Sequence, residues 1–148
     1  MRGSALVTAF AIAAVAYLVI APLGCGGPKT IAAGSPKATA EAFVEAMKAG
    51  DYKTVAAGYD YEAGARQANP DWDSLGQSQR NLIIGKLEEA RVEQLKALGG
   101  MMSGEVQVGS PEIQGDHASV PLTVGVQTIT MRLIQVEGLW KVIEVVEG

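Results

Sequence analysis

The chain has 148 residues, with 12 Lys and Arg against 16 Asp and Glu and a formal net charge of −4. No basic run interrupts this acidic balance, which excludes the clustered cations that a nucleic-acid backbone requires. Cys25 is the single cysteine, so an internal disulfide is excluded and stability must come from packing one domain-sized core.

The N-terminus reads as an export signal. Arg2 supplies a positive start, Ala5 to Ile20 is uncharged and almost wholly apolar, and Pro22 ends the run before Leu23, Gly24 and Cys25. A positive start, an apolar stretch and small residues at the end define a secretory leader, here residues 1–24. The apolar run approaches the roughly 20 residues that span a bilayer, so an uncleaved signal anchor is the competing reading. Removal of the leader takes away Arg2 alone and leaves eleven basic against sixteen acidic side chains, a net charge of −5.

The segment Pro22-Leu23-Gly24-Cys25 resembles the lipobox of bacterial lipoprotein precursors. Gly24 and Cys25 match its pattern, while Pro22 stands where an aliphatic residue is usual and Leu23 is larger than usual. The resemblance implies cleavage between Gly24 and Cys25, a diacylglyceryl thioether on Cys25, and often a third acyl chain such as palmitate on the new amine. Two or more acyl chains hold a protein stably at a membrane, at ~0.8 kcal/mol per buried CH₂. Localisation in the cell envelope follows. It would be the periplasmic face of the outer membrane in a Gram-negative host, since Gly26 is not Asp, and otherwise the outer face of the cell membrane.

Residues 25–35 carry the cysteine and a breaker-rich stretch, which predicts a flexible tether, with the folded domain over 36–148. Ser35-Pro36 predicts a helix start, and Ala40, Phe43, Val44 and Met47 then share one face. Gly50 predicts its stop, and Asp51 caps a short helix to about Gly58 that buries Val55. Residues 59–74 read as irregular. A long helix is predicted from between Asp73 and Ser78 to about Leu98. Ile83, Ile84, Leu87, Leu95 and Leu98 form its apolar stripe, and the i,i+3 pairs Lys86–Glu89 and Glu88–Arg91 its wet side. Met101-Met102 read as a connector or an adaptable flap.

Beyond it the hydrophobic period falls to two. Strands are predicted over 105–114, with Pro111 marking an edge or bulge, then from about Ala118 to Val124, from Ile129 through Leu133, and over 139–146. Gly125 to Gln127 reads as either a turn or a bulge. Helices followed by three or four antiparallel strands give an α+β domain, a curved sheet with helices on its concave face.

Three stretches resemble the NTF2-like superfamily, the cystatin-like cone, and closest its branch of uncharacterised bacterial lipoproteins. They are Ser35-Pro36 through Gly50-Asp51-Tyr52, Gly115-Asp116-His117-Ala118-Ser119-Val120, and Glu137-Gly138-Leu139-Trp140-Lys141-Val142. The resemblance implies a cone with a cavity between sheet and helices. That fold hosts isomerases, dehydratases, binders and adaptors, so it names no function.

Chemistry-bearing residues are few. Asp60 between Tyr59 and Tyr61 is the candidate acid–base pair for an enzyme acting on a small apolar substrate, against the plainer reading of a helix-end loop. His117, beside a turn, reads as solvent-exposed. Asn69-x-Asp71-x-Asp73 begins like a calcium loop, but Ser74 stands where Gly is needed and Arg80 where a bidentate Glu is needed, so no metal is assigned. No cofactor motif occurs. Trp140 reads as sheet core, whereas Trp72, in a polar loop, reads as a surface contact. With Tyr59, Asp60 and Tyr61 it completes the candidate ligand or partner contacts. The sequence therefore points to a non-catalytic, lipid-anchored envelope module that binds a protein or a small apolar ligand. An enzyme and a structural envelope protein without a ligand are the alternatives.

Overall fold

The computed structural model describes residues 29–148. The leader, Gly24 and Cys25 lie outside the described residues. The chain runs through α1 (Pro36–Lys48), α2 (Tyr52–Ala56), α3 (Tyr61–Ala68), a 3-10 turn (Trp72–Ser74) and α4 (Gln77–Gly99). Five strands follow: β1 (Val106–Val108), β2 (Glu112–Gln114), β3 (His117–Val124), β4 (Gln127–Val136) and β5 (Leu139–Glu147). All strand pairs are antiparallel. The order is β1-β3-β4-β5, with β2 continuing the β1 edge alongside β3. The domain is α+β, with one strand more than the upper figure predicted and one helix more.

The helix starts follow the sequence signals. Ser35 accepts from Ala38 N and Pro36 fills the first turn, while Asp51 accepts from Thr54 N at 3.3 Å. Ala40, Phe43, Val44 and Met47 are buried as their spacing predicts. They meet Val120, Leu122, Met131, Leu133 and Val142 from the sheet in one apolar cluster. Burying one such side chain contributes roughly 1.5–3 kcal/mol.

The extra helix, α3, occupies a segment that reads as irregular. Its sequence, Tyr-Glu-Ala-Gly-Ala-Arg-Gln-Ala, has no apolar stripe, and Ala65 is its one buried residue. The Asp60 cap and an Arg66–Glu62 ion pair at 2.9 Å hold it. The predicted stripe of α4 also needs correction. Leu95 is buried, but Leu87 and Leu98 are exposed and Ile83 and Ile84 only half-buried. The helix touches the domain mainly through α2 and α3, so its stripe is wider than the surface available to cover it.

The edge strand predicted over 105–114 is broken by a bulge. Val108 faces Leu122 and Glu112 faces Ser119, a register slip of one residue. The break accommodates Pro121 inside central β3. In an antiparallel ladder a residue's N and O face the same neighbour, so the donor that Pro121 lacks falls opposite the bulge. Gly109 N donates to Pro121 O at 2.8 Å, and any Cβ on Gly109 would collide with the proline ring.

A second slip, between Arg132 and Leu133, leaves Ile143 as the extra residue of β5. It turns Glu144 outward to pair with Arg132 at 2.7 Å and lets Val145 pack on the core. The stretch Gly125 to Gln127 resolves as a turn: Gly125-Val126 joins paired Val124 and Gln127, with Gly125 at φ +61.

The tether prediction over 25–35 is corrected at its end. Ile31 is 2% exposed and belongs to the core cluster, so residues 31–35 are part of the domain. Its side chain occupies the space that a Cβ on Gly58 would take. Ala33 bridges to β5, where Trp140 N donates to Ala33 O at 2.8 Å. Thr39, fully buried, accepts from Ala33 N and donates to Trp140 O, each at 3.0 Å. Thr39→Val would leave both backbone groups short of a partner. It is expected to cost about 1–3 kcal/mol in urea unfolding, against under 1 kcal/mol for Thr39→Ser, which keeps the hydroxyl.

Candidate functional site

The Tyr59-Asp60-Tyr61 group is placed by the backbone before any side chain acts. Val142 N donates to Gly58 O and Asp60 N donates to Val142 O, both at 2.8 Å, so the link from α2 to α3 runs parallel to β5 through a single isolated bridge at Tyr59. This turns Tyr59 into the core and puts Asp60 at the start of α3. The Asp60 carboxylate accepts from Glu62 N at 3.1 Å and so caps α3. The Tyr61 hydroxyl donates to Ala56 O at 2.7 Å.

The two tyrosine rings stack 6.1 Å apart, 23° from parallel, and the Arg91 guanidinium lies 4.6 Å from the centre of Tyr59. Arg91 therefore covers an aromatic face rather than making the solvent pair with Glu88 that its spacing predicts. Burial pushes the Tyr59 phenol up to about 12, opposed by Arg91. Burial also raises Tyr61, with Arg91 opposing and Glu88 reinforcing the shift. Both phenols are neutral at physiological pH.

A groove of about 300 Å³ runs beside this group, between Asp60, Tyr61, Glu88 and Lys141. Of its polar groups, Asp60 is a helix cap and the Tyr61 hydroxyl is tied to the backbone. A general base needs a free lone pair within reach of a substrate proton, and this arrangement presents the carboxylate to a helix N-terminus instead.

Trp72 is not a surface contact. It is 1% exposed, enclosed where the 3-10 turn meets α3, and Arg80 covers it. The Arg80 guanidinium stands 5.8 Å from the indole, its Nε donates to Trp72 O at 3.1 Å, and its Nη2 donates to Asp73 O at 2.8 Å. The polar neighbours that suggested a wet loop face outward around it, and the indole Nε1 has no hydrogen-bond partner among the described residues.

Two residues of the calcium-like spacing are engaged locally. Asn69 Nδ2 donates to Ala65 O, and Asp73 faces Arg66 at 3.5 Å. His117 is exposed, with Nδ1 2.7 Å from the Asp116 carboxylate. Trp140 is buried, as sheet core.

Inside the domain, Thr39 is the single buried polar residue among those described. An apolar depression lies elsewhere, at the end of the sheet. It has a volume of about 100 Å³ and opens between the end of α4, the β3–β4 hairpin and the end of β5. Sequence reasoning gave no site there beyond naming Met101-Met102 a connector or flap. The available signal was the run of large apolar residues, Leu98 and Met101-Met102, around Gly99-Gly100. Comparison with known proteins finds no matching family model, no matching curated protein and no matching solved structure.

Two outcomes test this placement. With Trp140 replaced by Phe, the remaining Trp72 should emit at short wavelength and resist acrylamide quenching, whereas a solvated Trp72 would emit at the wavelength of the unfolded chain and be readily quenched. The unfolded chain gives up its tyrosine protons near pH 10, before folded Tyr59 does at about 12. Stability is therefore complete below pH 10 and falls as pH rises toward 12, by up to about 1.4 kcal/mol per pH unit for Tyr59. Tyr59→Phe should flatten that decline in denaturant titrations at pH 9, 10 and 11.

Proposed function

We propose that this protein is an exported lipoprotein of the cell envelope, anchored through acylated Cys25, whose NTF2-like domain is a non-catalytic binding module. The observation that carries the reading is the interior: an apolar core between sheet and helices, without a buried charged side chain among the described residues, that opens through an apolar pocket. Acid–base chemistry on a small substrate would need a titratable group facing such a cavity, and Asp60, the candidate, caps α3 outside it. A purely structural envelope protein would have no use for an opening lined by core side chains.

The NTF2-like assignment is supported by the coarse architecture, helices packed on one face of an antiparallel sheet. The anchor assignment is supported by the leader and by the chain length that follows it. Five residues separate Cys25 from buried Ile31, a span of at most about 20 Å when fully extended, so an acylated Cys25 holds the domain close to the membrane surface.

Metabolic labelling with palmitate tests the anchor. Label should enter the wild-type chain and be lost from Cys25→Ser, and equal labelling of both variants would remove the lipoprotein reading. The binding role is tested by crosslinking in intact envelopes, where recovery of neither a specific protein nor a ligand would count against it.

A further inference from the structure

At the end of α4 the chain makes a tight turn, with Met101 N donating to Leu98 O and Met102 N to Gly99 O. The turn divides the side chains. Met102 is buried in the core cluster, whereas Leu98 is 43% and Met101 58% exposed beside it. Between them and the sheet lies the 100 Å³ pocket, with buried Phe43 and half-buried Ile129 and Val145 in its wall. Val126, at the tip of the adjoining hairpin, is fully exposed. Apolar residues thus surround the opening as well as line it.

Three properties define an occupant. At about 100 Å³ the pocket is well below the roughly 300–1,000 Å³ of small-molecule sites, which favours a short aliphatic branch of roughly four carbons over a drug-sized ligand. A free molecule of four carbons would bind weakly, but a leucine-sized side chain held on a polypeptide could anchor there while its neighbours cover Leu98, Met101 and Val126. Apolar anchor side chains of a bound peptide seated in a hydrophobic groove, with an adaptable surround, are a recurring mode of polypeptide recognition. The charge is one-signed: Glu147 is the single charged side chain lining the pocket, has no ion-pair partner among the described residues, and belongs to a chain that is acidic overall. A basic neighbour on the partner is favoured and an acidic one opposed. The position is remote from the anchored end. The strap reaches β5 at Trp140, and the pocket lies by Glu147, seven residues and roughly 20 Å further along the strand.

We infer that this pocket is the docking site for a partner polypeptide, taking one leucine-like side chain flanked by lysine or arginine. The inference deepens the proposed binding role and rests on it; the lipid anchor adds only that the partner arrives from the aqueous side.

The test uses the mature full-length chain in phosphatidylcholine nanodiscs, with ¹³C-methyl methionine read by NMR. The probes are the capped tripeptides Lys-Leu-Lys, Glu-Leu-Glu and Lys-Ala-Lys, and butylammonium. Lys-Leu-Lys should produce saturable shifts of the Met101 and Met102 methyls while Met47 and Met131 stay still, and should bind several-fold more tightly than Glu-Leu-Glu. Lys-Ala-Lys should not saturate, and Glu147→Gln should narrow the difference between the lysine and glutamate peptides. The absence of saturable shifts, equal affinity for the two charges, or equal movement of all four methyls would overturn the inference. Butylammonium binding without Lys-Leu-Lys binding would overturn it in favour of a free alkyl ligand. Because the readout is local, these failures leave the envelope anchor standing, and a failure of palmitate labelling leaves the pocket result intact.

Discussion

The hydroxyl of Thr39 joins three parts of the chain. It accepts from Ala33 in the strap and donates to Trp140 in β5, from a position in the second turn of α1. A buried hydroxyl without partners is costly, and here both of its capacities are used. The bond fixes where α1 crosses the sheet, and that crossing brings Ala40, Phe43, Val44 and Met47 over the inward faces of β3, β4 and β5. The apolar contacts supply most of the stabilisation, but they are non-directional and would tolerate neighbouring placements. The directional bond selects one of them.

The same region resolves the problem of the sheet's edge. An exposed strand offers unpaired donors and acceptors to other chains. At its first half β5 is covered by two short segments, the strap at Trp140 and the Gly58–Asp60 link at Val142. Gly58 serves both, since its bare Cα leaves room for Ile31 while its carbonyl pairs with β5. At the opposite edge, the bulge opposite Pro121 bends and interrupts the strand. The tyrosine group belongs to this edge system too: Tyr59 and Tyr61 stack where the link leaves β5, and Arg91 covers them. Residues that look like chemistry in the sequence are therefore fasteners in the fold.

The sequence was most legible where periodicity and local caps agreed. α1 carries Ser35, Pro36 and four apolar residues at helical spacing, and it forms and buries as read. β3 and β4 form where the period of two predicts strands. Legibility failed where tertiary contacts decide. Trp72 sits among Asp71, Asp73 and Ser74, and no local rule reveals that Arg80, eight residues away, closes over it. Asp60 has the composition of a reactive residue, yet its role depends on where β5 places the backbone. Ile31 lies among breakers, and only the gap at Gly58, distant in sequence, makes it core. The bulge in β5 left a trace that could be read: strict alternation from Trp140 and Val142 would bury Glu144, so an extra residue was required before Val145.

The bulge also bears on the pocket. By shifting the register after Val142, it turns Val145 toward the core and sets Val146 and Glu147 at the pocket's edge. Without it, Glu144 would point inward, a placement that burial strongly disfavours. One inserted residue thus separates the two carboxylates by function: Glu144 is neutralised by Arg132 on the outer face, while Glu147 has no ion-pair partner among the described residues and stands at an apolar opening. The strand is fastened at one end and left open at the other, and the open end is where a shaped apolar wall and an acidic charge coincide.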